Sequence, residues 1–205
     1  MGLVYQFRAV PHYESRVGKK IIAPRMEDLS QVKFLDPERV DQVSKMSSTP
    51  ALQGYPVDPT TMPTAVVYES KNKAVPDVEM AGGGVEIVSE RVRDVIEQFE
   101  PGVHQFLPVD VYRPKANEPF TRRYWMIVCR RIDSVDAAHS TITRRASGIW
   151  NADGQMVMNL SAIGSAHLWC DPFIGPRYHS CSQSLCDALK QMSLTGVSLD
   201  PREAV

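Results

Sequence analysis

The clearest hydrophobic pattern in the chain begins at Ser89 and predicts an amphipathic helix. Apolar residues recur there at intervals of three and four, which places their side chains on one face of an α-helix. The stripe consists of Val92, Val95, Ile96 and Phe99. Ser89 stands at the N-cap position, where its side-chain oxygen can accept from a free backbone N–H group. Pro101 and Gly102 end the pattern, so we predict one main helix at about residues 89–100.

A second helical pattern lies near the end of the chain. Ser180 and Gln183 have the spacing of a capping box, and Gly196 supplies a C-terminal stop. The apolar stripe is formed by Leu185, Ala188, Leu189 and Met192. These signals predict the other main helix at about residues 181–194, followed by a short strand at residues 197–199.

Shorter patterns predict extended segments and one minor helix. The expected strands are residues 3–10, 20–23, 64–69, 103–111, 124–128, 156–160 and 166–170. Residues 124–128 are the most apolar of these and should be central in a sheet, whereas Pro108 puts a bend or an edge in its strand. A short helix is expected at residues 37–46, with Asp36 as its cap. Because helices and strands do not alternate regularly, we predict an α+β fold with a mostly antiparallel sheet.

Proline and glycine divide the chain into three regions. Five prolines and three consecutive glycines interrupt any regular pattern between residues 50 and 84. We expect residues 1–49 to form an N-terminal strand and loop region, and residues 50–84 a connection. Residues 85–205 would form the main α+β domain, or one continuous domain together with residues 1–84. An irregular surface path is the favoured interpretation of the connection, and a hinge or binding arm is the alternative.

Composition and charge narrow the class of protein. Of the 205 residues, 43% are hydrophobic, which is enough to form a hydrophobic core. The net charge of −1 creates no electrostatic field that would favour binding to nucleic acid or to an anionic membrane. The longest apolar runs fall well short of the roughly 20 residues of a membrane span, and the N-terminal residues do not read as a signal peptide. Four cysteines are too few for a disulfide scaffold. We therefore expect a cytoplasmic protein with reduced thiols and without nucleic-acid or membrane partners.

Histidine and cysteine concentrate in the last forty or so residues and raise two chemical hypotheses. The candidates are His167, Cys170, His179, Cys181 and Cys186. Zinc prefers such ligands, but this spacing matches no standard zinc-finger pair, so we predict no metal and no cofactor. A cysteine nucleophile needs a base within hydrogen-bond reach, and no nucleophile elbow or recognised cysteine-protease signature occurs. We predict no catalytic residue, and a hydrolase that uses Cys170 and His179 stays as an alternative.

A set of aromatic and arginine residues predicts a recognition surface. Tyrosine, tryptophan and arginine are enriched at the hot spots of protein–protein interfaces. The candidate partner-binding residues are Trp150, Phe173, Arg177 and Tyr178. Core packing is the competing interpretation, and it is the one we prefer for Trp169. The loop position of Phe173, Arg177 and Tyr178 strengthens the recognition hypothesis for those three.

Three segments carry a family resemblance, at residues 87–113, 123–140 and 167–201. The matching positions are Val88, Ser89, Arg91, Phe106, Pro108, Val109, Asp133, Asp136, Ser182, Leu185, Ala188, Leu189 and Gly196. In their order and spacing these segments resemble a family of bacterial immunity proteins encoded beside polymorphic toxins, often type VI secretion or Rhs-type effectors. The resemblance lies mainly in core and turn positions, and residues 1–83 match only loosely.

The resemblance implies a function that needs no catalytic residue. Such a protein would bind a cognate toxin and neutralise it by covering its active site or preventing its folding, over an interface of at least about 1,200 Å². The alternatives are the Cys/His hydrolase and a regulatory binding module without a toxin, and a homodimer is left open. Because such families diversify the surface that faces the toxin, no partner-contacting residue carries over.

Overall fold

The computed structural model describes residues 2–10, 29–45, 47, 49–70, 74–81, 84–151, 153–175 and 179–205. The strands of this part are β1 Gly2–Ala9, β2 Ala65–Val67, β3 Val78–Met80, β4 Glu86–Val88, β5 Gln105–Tyr112, β6 Thr121–Ile127, β7 Leu168–Cys170, β8 His179–Ser182 and β9 Val197–Ala204. The α-helices are α1 Gln42–Lys45, α2 Glu90–Phe99, α3 Leu160–Ile163 and α4 Gln183–Gln191. Three single 3₁₀ turns are Pro37–Arg39, Pro50–Leu52 and Pro59–Thr61.

The strands form two sheets. One sheet has the order β7-β8-β1-β9 and is antiparallel throughout. The other has the order β2-β5-β6-β4-β3, and only the β2–β5 pair is parallel. The α+β prediction with a mostly antiparallel sheet is therefore confirmed, and β6 lies at the centre of its sheet as its apolar sequence indicated.

Strand β1 joins the first residues of the chain to the last. It lies between β8 and β9, so that Val4 is opposite both Ser182 and Arg202. Adjacent side chains of a strand point to opposite faces. Tyr5 and Phe7 therefore face α4 and the interior, whereas Val4, Gln6 and Arg8 face the other way.

The two main helices begin where a serine caps them. The Ser89 hydroxyl accepts from the Val92 N–H at 3.4 Å and donates to Asp77 Oδ1 at 2.8 Å. Ser182 caps α4 by accepting from the Leu185 N–H at 3.2 Å. The prediction of two main helices is confirmed, but the proposed capping residue of the second, Ser180, instead lies in β8.

The principal core lies between the two sheets and beneath both main helices. It includes Phe7, Val88, Ile96, Met126 and Leu185, one from each of five elements. A second cluster covers the other face of the five-stranded sheet and contains buried residues of the proline-rich region, namely Ala51, Leu52, Val57, Met62, Val66, Tyr68, Val75 and Ala81. The proline-rich region thus contributes side chains to the hydrophobic core. The division of the chain into three regions stays a prediction.

Three local predictions were wrong. In place of a helix over residues 37–46, the chain makes the turn Pro37–Arg39 and then α1, and Asp36 gives no side-chain cap. In place of a strand over residues 156–160, Met158 makes isolated bridges, and Asn159 caps α3 from Leu160. Strand β8 was missed because its polar sequence, His-Ser-Cys-Ser, has weak strand propensity. The extended segment expected at residues 20–23 lies outside the described residues.

The position of Pro108 follows from the pairing of β5. Pro108 lies opposite Tyr124 of β6, and its nitrogen faces the side on which β2 pairs. That pairing begins only at Asp110, whose N–H donates to the Thr64 carbonyl at 2.9 Å. A proline is tolerated there because no neighbouring strand needs its missing N–H group.

Candidate functional site

Two of the predicted recognition residues lie side by side. The backbone N–H of Trp150 donates to the backbone carbonyl of Phe173 at 2.8 Å. The Arg144 guanidinium carbon lies 4.1 Å from the ring centroid of Phe173 and 5.0 Å from that of Trp150. Arg144 also pairs with Asp133 at 2.7 Å. We call Arg144, Trp150 and Phe173 the arginine–aromatic cluster, and exposed Ile149 lies next to it in the chain.

A buried carboxylate holds the Phe173 loop in place. Asp171 Oδ1 accepts from the backbone N–H groups of Phe173 at 2.8 Å and Ile174 at 3.3 Å. Its Oδ2 accepts from the Ser134 N–H at 2.7 Å and the Ser134 hydroxyl at 2.8 Å. Burial raises the pKa of Asp171 despite these donors. The carboxylate of Asp171 therefore fixes the backbone of the Phe173 loop and links that loop to Ser134. We call this arrangement the Asp171 platform.

A groove of about 580 Å³ opens beside the arginine–aromatic cluster. It lies on the face of the four-stranded sheet that carries Gln6 and Arg8. The lining residues are Gln6, Arg8, Trp150, Gly154, Gln155, Met156, Met158, Ile174, Ser180, Pro201, Arg202 and Glu203. Its volume falls in the range of pockets that bind ligands in other proteins. The groove and the cluster share Trp150, so the two form one continuous surface.

The groove combines paired and unpaired polar groups. Arg8 pairs with Asp200 at 2.7 Å, and Glu203 accepts from Gln155 Nε2 at 2.6 Å. Arg202 donates to the neutral Gln6 Oε1 at 2.7 Å. Within the described part of the chain, no carboxylate lies within ion-pair distance of Arg202, and the buried Trp150 Nε1 has no hydrogen-bond acceptor.

Cys170 and His179, the pair of the hydrolase hypothesis, are neighbours in the structure, but neither side chain is activated. Cys170 and His179 are opposite each other in the β7–β8 register, and both are buried. Burial raises the pKa of the Cys170 thiol to about 12 and lowers the pKa of His179 to about 4. Burial likewise raises the pKa of Cys181, whereas His167 Nδ1 lies 2.8 Å from the Ser182 hydroxyl. A neutral thiol beside a neutral imidazole, with water excluded, is not an activated nucleophile.

The described residues contain no group of three or more His, Cys, Asp or Glu side chains arranged to hold a metal ion. Instead, the structure reveals buried ionisable groups that the sequence analysis missed. Glu86 lies 3.6 Å from His179, and burial raises the Glu86 pKa to about 8. Glu100 contacts His104 Nε2 at 2.8 Å. An acid within the apolar run Val85–Val88 was the one signal of burial that the sequence offered for Glu86.

Two of the predicted recognition residues, Arg177 and Tyr178, lie outside the described residues. None of the helices in the described ranges is long and apolar enough to cross a membrane.

The family comparison agrees with the resemblance of the three segments. Residues 20–204 match a family model of immunity proteins, the class to which those segments pointed. That model is Imm11, and because it covers most of the chain, the protein belongs to the immunity protein family Imm11. No curated protein matches the chain.

Proposed function

We propose that this Imm11 protein binds a cognate bacterial toxin in the cytoplasm and neutralises it by steric occlusion. Family membership carries the proposal, because an immunity protein requires a toxin as its partner. Delivery of that toxin by type VI secretion or as an Rhs-type effector is part of the same hypothesis.

The arginine–aromatic cluster supports the placement of the toxin-binding face. The backbone of Phe173 is held on the Asp171 platform, and exposed Ile149 directly precedes Trp150 in the chain. Trp150 is only 9% exposed, so we propose that Phe173 and Arg144 make the aromatic and cationic contacts on this face and that the face of the Trp150 ring packs behind them. A rigid aromatic anchor next to a stacked arginine is typical of interface hot spots. The prediction from the sequence that Arg177 and Tyr178 contact the partner is kept as part of this proposal.

Occlusion fits the chemistry of the described residues better than catalysis does. Members of immunity families are generally non-enzymatic, and the buried thiols near His179 are held in their neutral form. The hydrolase alternative would need the Cys170 region to open to water. A regulatory module without a toxin would show the same scaffold and would differ only in its partner.

The test uses the toxin encoded beside the gene, purified as its active domain. Toxin activity is titrated with this protein, and binding is measured by calorimetry. Occlusion predicts complete inhibition at a fixed stoichiometry, whereas a hydrolase that destroys the toxin would inhibit at substoichiometric amounts. If a toxin is encoded there and this protein neither binds it nor protects cells, the proposal is wrong.

Matched variants locate the face. Phe173→Ala should weaken toxin binding by about 2 kcal/mol or more, the usual loss at a hot spot. Leu35→Ala removes another exposed apolar side chain, 58% exposed, on the proline-rich side of the molecule, and should bind like the wild type. Equal affinities for both variants would place the toxin-binding face elsewhere while leaving toxin binding itself intact.

A further inference from the structure

We infer that the groove beside the arginine–aromatic cluster receives an acidic segment of the toxin, whose carboxylate meets Arg202 and whose backbone or side-chain oxygen accepts from Trp150 Nε1. This inference rests on the proposed function and names the chemistry of the partner. It follows from the groups that the groove leaves unsatisfied.

The orphan donor is the first observation. Trp150 Nε1 is buried without an acceptor among the described residues, although its residue lines the groove. A buried N–H group without a partner is costly. The buried indole N–H groups of Trp125 and Trp169 both have partners, at 2.8 Å from the Pro63 carbonyl and at 3.2 Å from the Ser134 hydroxyl. Trp150 differs from them in lining the groove. Its Nε1 has almost no exposed surface in the free protein, so the inferred contact includes a shift of the groove wall that lets a toxin oxygen reach this atom.

The charge of the groove is the second observation. Arg8 is neutralised by Asp200, and Glu203 binds the neutral Gln155. Arg202 is exposed and its described partner is an amide oxygen, Gln6 Oε1. A guanidinium forms its strongest contacts with carboxylates, by two parallel hydrogen bonds. Arg202 and Glu203 each bind a neutral amide and so both keep their charge. Of the two arginines that line the groove, Arg202 is the one without a carboxylate partner among the described residues, so it is the cation that an acid of the toxin would meet.

The volume of the groove and its partly apolar walls favour a polypeptide segment as the occupant. Apolar side chains of Met156, Met158 and Ile174 line the groove, and methionine adapts to irregular partners. Ile174 also packs against the hydrophobic cluster that contains Trp150. The groove is therefore continuous with the proposed toxin-binding face, and a loop of a bound toxin can reach it without a second docking event.

The experiment compares four immunity variants against the purified neighbouring toxin by calorimetry. Arg202→Gln removes the cation, and Trp150→Phe removes the N–H donor while keeping an aromatic ring. Arg39→Gln is the matched control, because that arginine is also exposed and lies outside the groove. Each groove variant should weaken binding by about tenfold or more, and the control should not. Increasing salt should weaken the wild-type complex more than the Arg202→Gln complex.

The fourth variant identifies the acid on the toxin. Arg202→Glu should abolish binding, and changing one toxin Asp or Glu to Lys should restore it. Thermal melts of each free variant exclude unfolding as the cause, and exposed Arg202 is expected to tolerate substitution if Trp150 does not.

Three results would decide between the occupants. If the toxin binds all groove variants with wild-type affinity, the groove inference is wrong and the proposed function stands. If the variants change self-association in sedimentation instead of toxin affinity, a second copy of this chain occupies the groove and the inference is again wrong. If the wild-type protein does not bind the toxin, both the proposed function and the groove inference are wrong.

Discussion

Replacing Glu100 by alanine should strongly destabilise the fold, because this buried carboxylate holds several donors at once. Glu100 is 4% exposed and joins the end of α2 to strand β7 of the four-stranded sheet. Its Oε2 lies 2.8 Å from His104 Nε2 and accepts from the Leu168 N–H at 2.9 Å. Its Oε1 accepts from the His167 N–H at 3.0 Å and pairs with Arg130 at 3.1 Å. One carboxylate therefore satisfies four donors, two of which are backbone N–H groups at the start of β7.

The expected loss follows from what Glu100→Ala leaves behind. Two backbone N–H groups and the buried His104 would lose their acceptor, and each orphaned group costs about 1–3 kcal/mol. These losses are not additive, so we expect about 3–5 kcal/mol, as for other broken buried ion pairs. For a chain of this size, that corresponds to a fall in Tm of about 6–20 °C.

The assay is urea unfolding followed by circular dichroism, with Glu100→Gln as the matched control. The amide keeps one acceptor oxygen, so its loss should be intermediate. Burial would raise the Glu100 pKa, but the His104 contact and the backbone N–H donors hold it below its ordinary value. Its contribution is thus present near neutral pH and lost as pH falls through the lowered pKa. A loss below about 1 kcal/mol for Glu100→Ala would refute this account of the network, since even one orphaned buried donor should cost that much.

Three further predictions concern stability. Burial raises the pKa of Glu86 to about 8 and that of Glu79 to about 7, so stability should fall as the pH rises from about 5 to about 8. Glu86→Gln should remove the Glu86 part of that slope and add roughly 2–5 kcal/mol at pH 8. Urea midpoints across this range test it, and an unchanged slope would contradict it. Ser89→Ala removes the α2 cap and the bond to Asp77, and should cost about 1–2 kcal/mol by the same assay. Gly196 has φ +78°, and a Cβ there would collide with the Val78 carbonyl, so Gly196→Ala should cost about 2–5 kcal/mol. The control is Gly102→Ala, because Gly102 has φ +67° but no atom lies near the position of an added Cβ, and this variant should lose about 1–2 kcal/mol of stability. Equal losses of stability in the two variants would show that the collision at Gly196 adds no cost.

Local signals in the sequence are sufficient to predict a helix or strand when its start, its buried face and its end are all encoded within that element. The stripe from Val92 to Phe99 and its serine cap specify α2, because cap, spacing and stop all act within one helix. The apolar run at residues 124–128 likewise specifies a central strand. Strand β8 was missed because three of its four residues are polar and give no periodic hydrophobic signal, and their strand state depends on pairing with β1 and β7.

Local periodicity and motif order in the chain were thus enough for the α+β class, the two main helices and the resemblance to immunity proteins. The folded molecule was needed to show that Trp150 and Phe173 meet around Arg144, and that Glu86 faces His179. The first contact depends on the backbone hydrogen bond that holds Phe173 against Trp150. The second depends on the packing of the two sheets, because Glu86 lies in β4 and His179 in β8. Charge, burial and an unsatisfied donor are properties of that packing, which is why the groove becomes visible only in the folded chain.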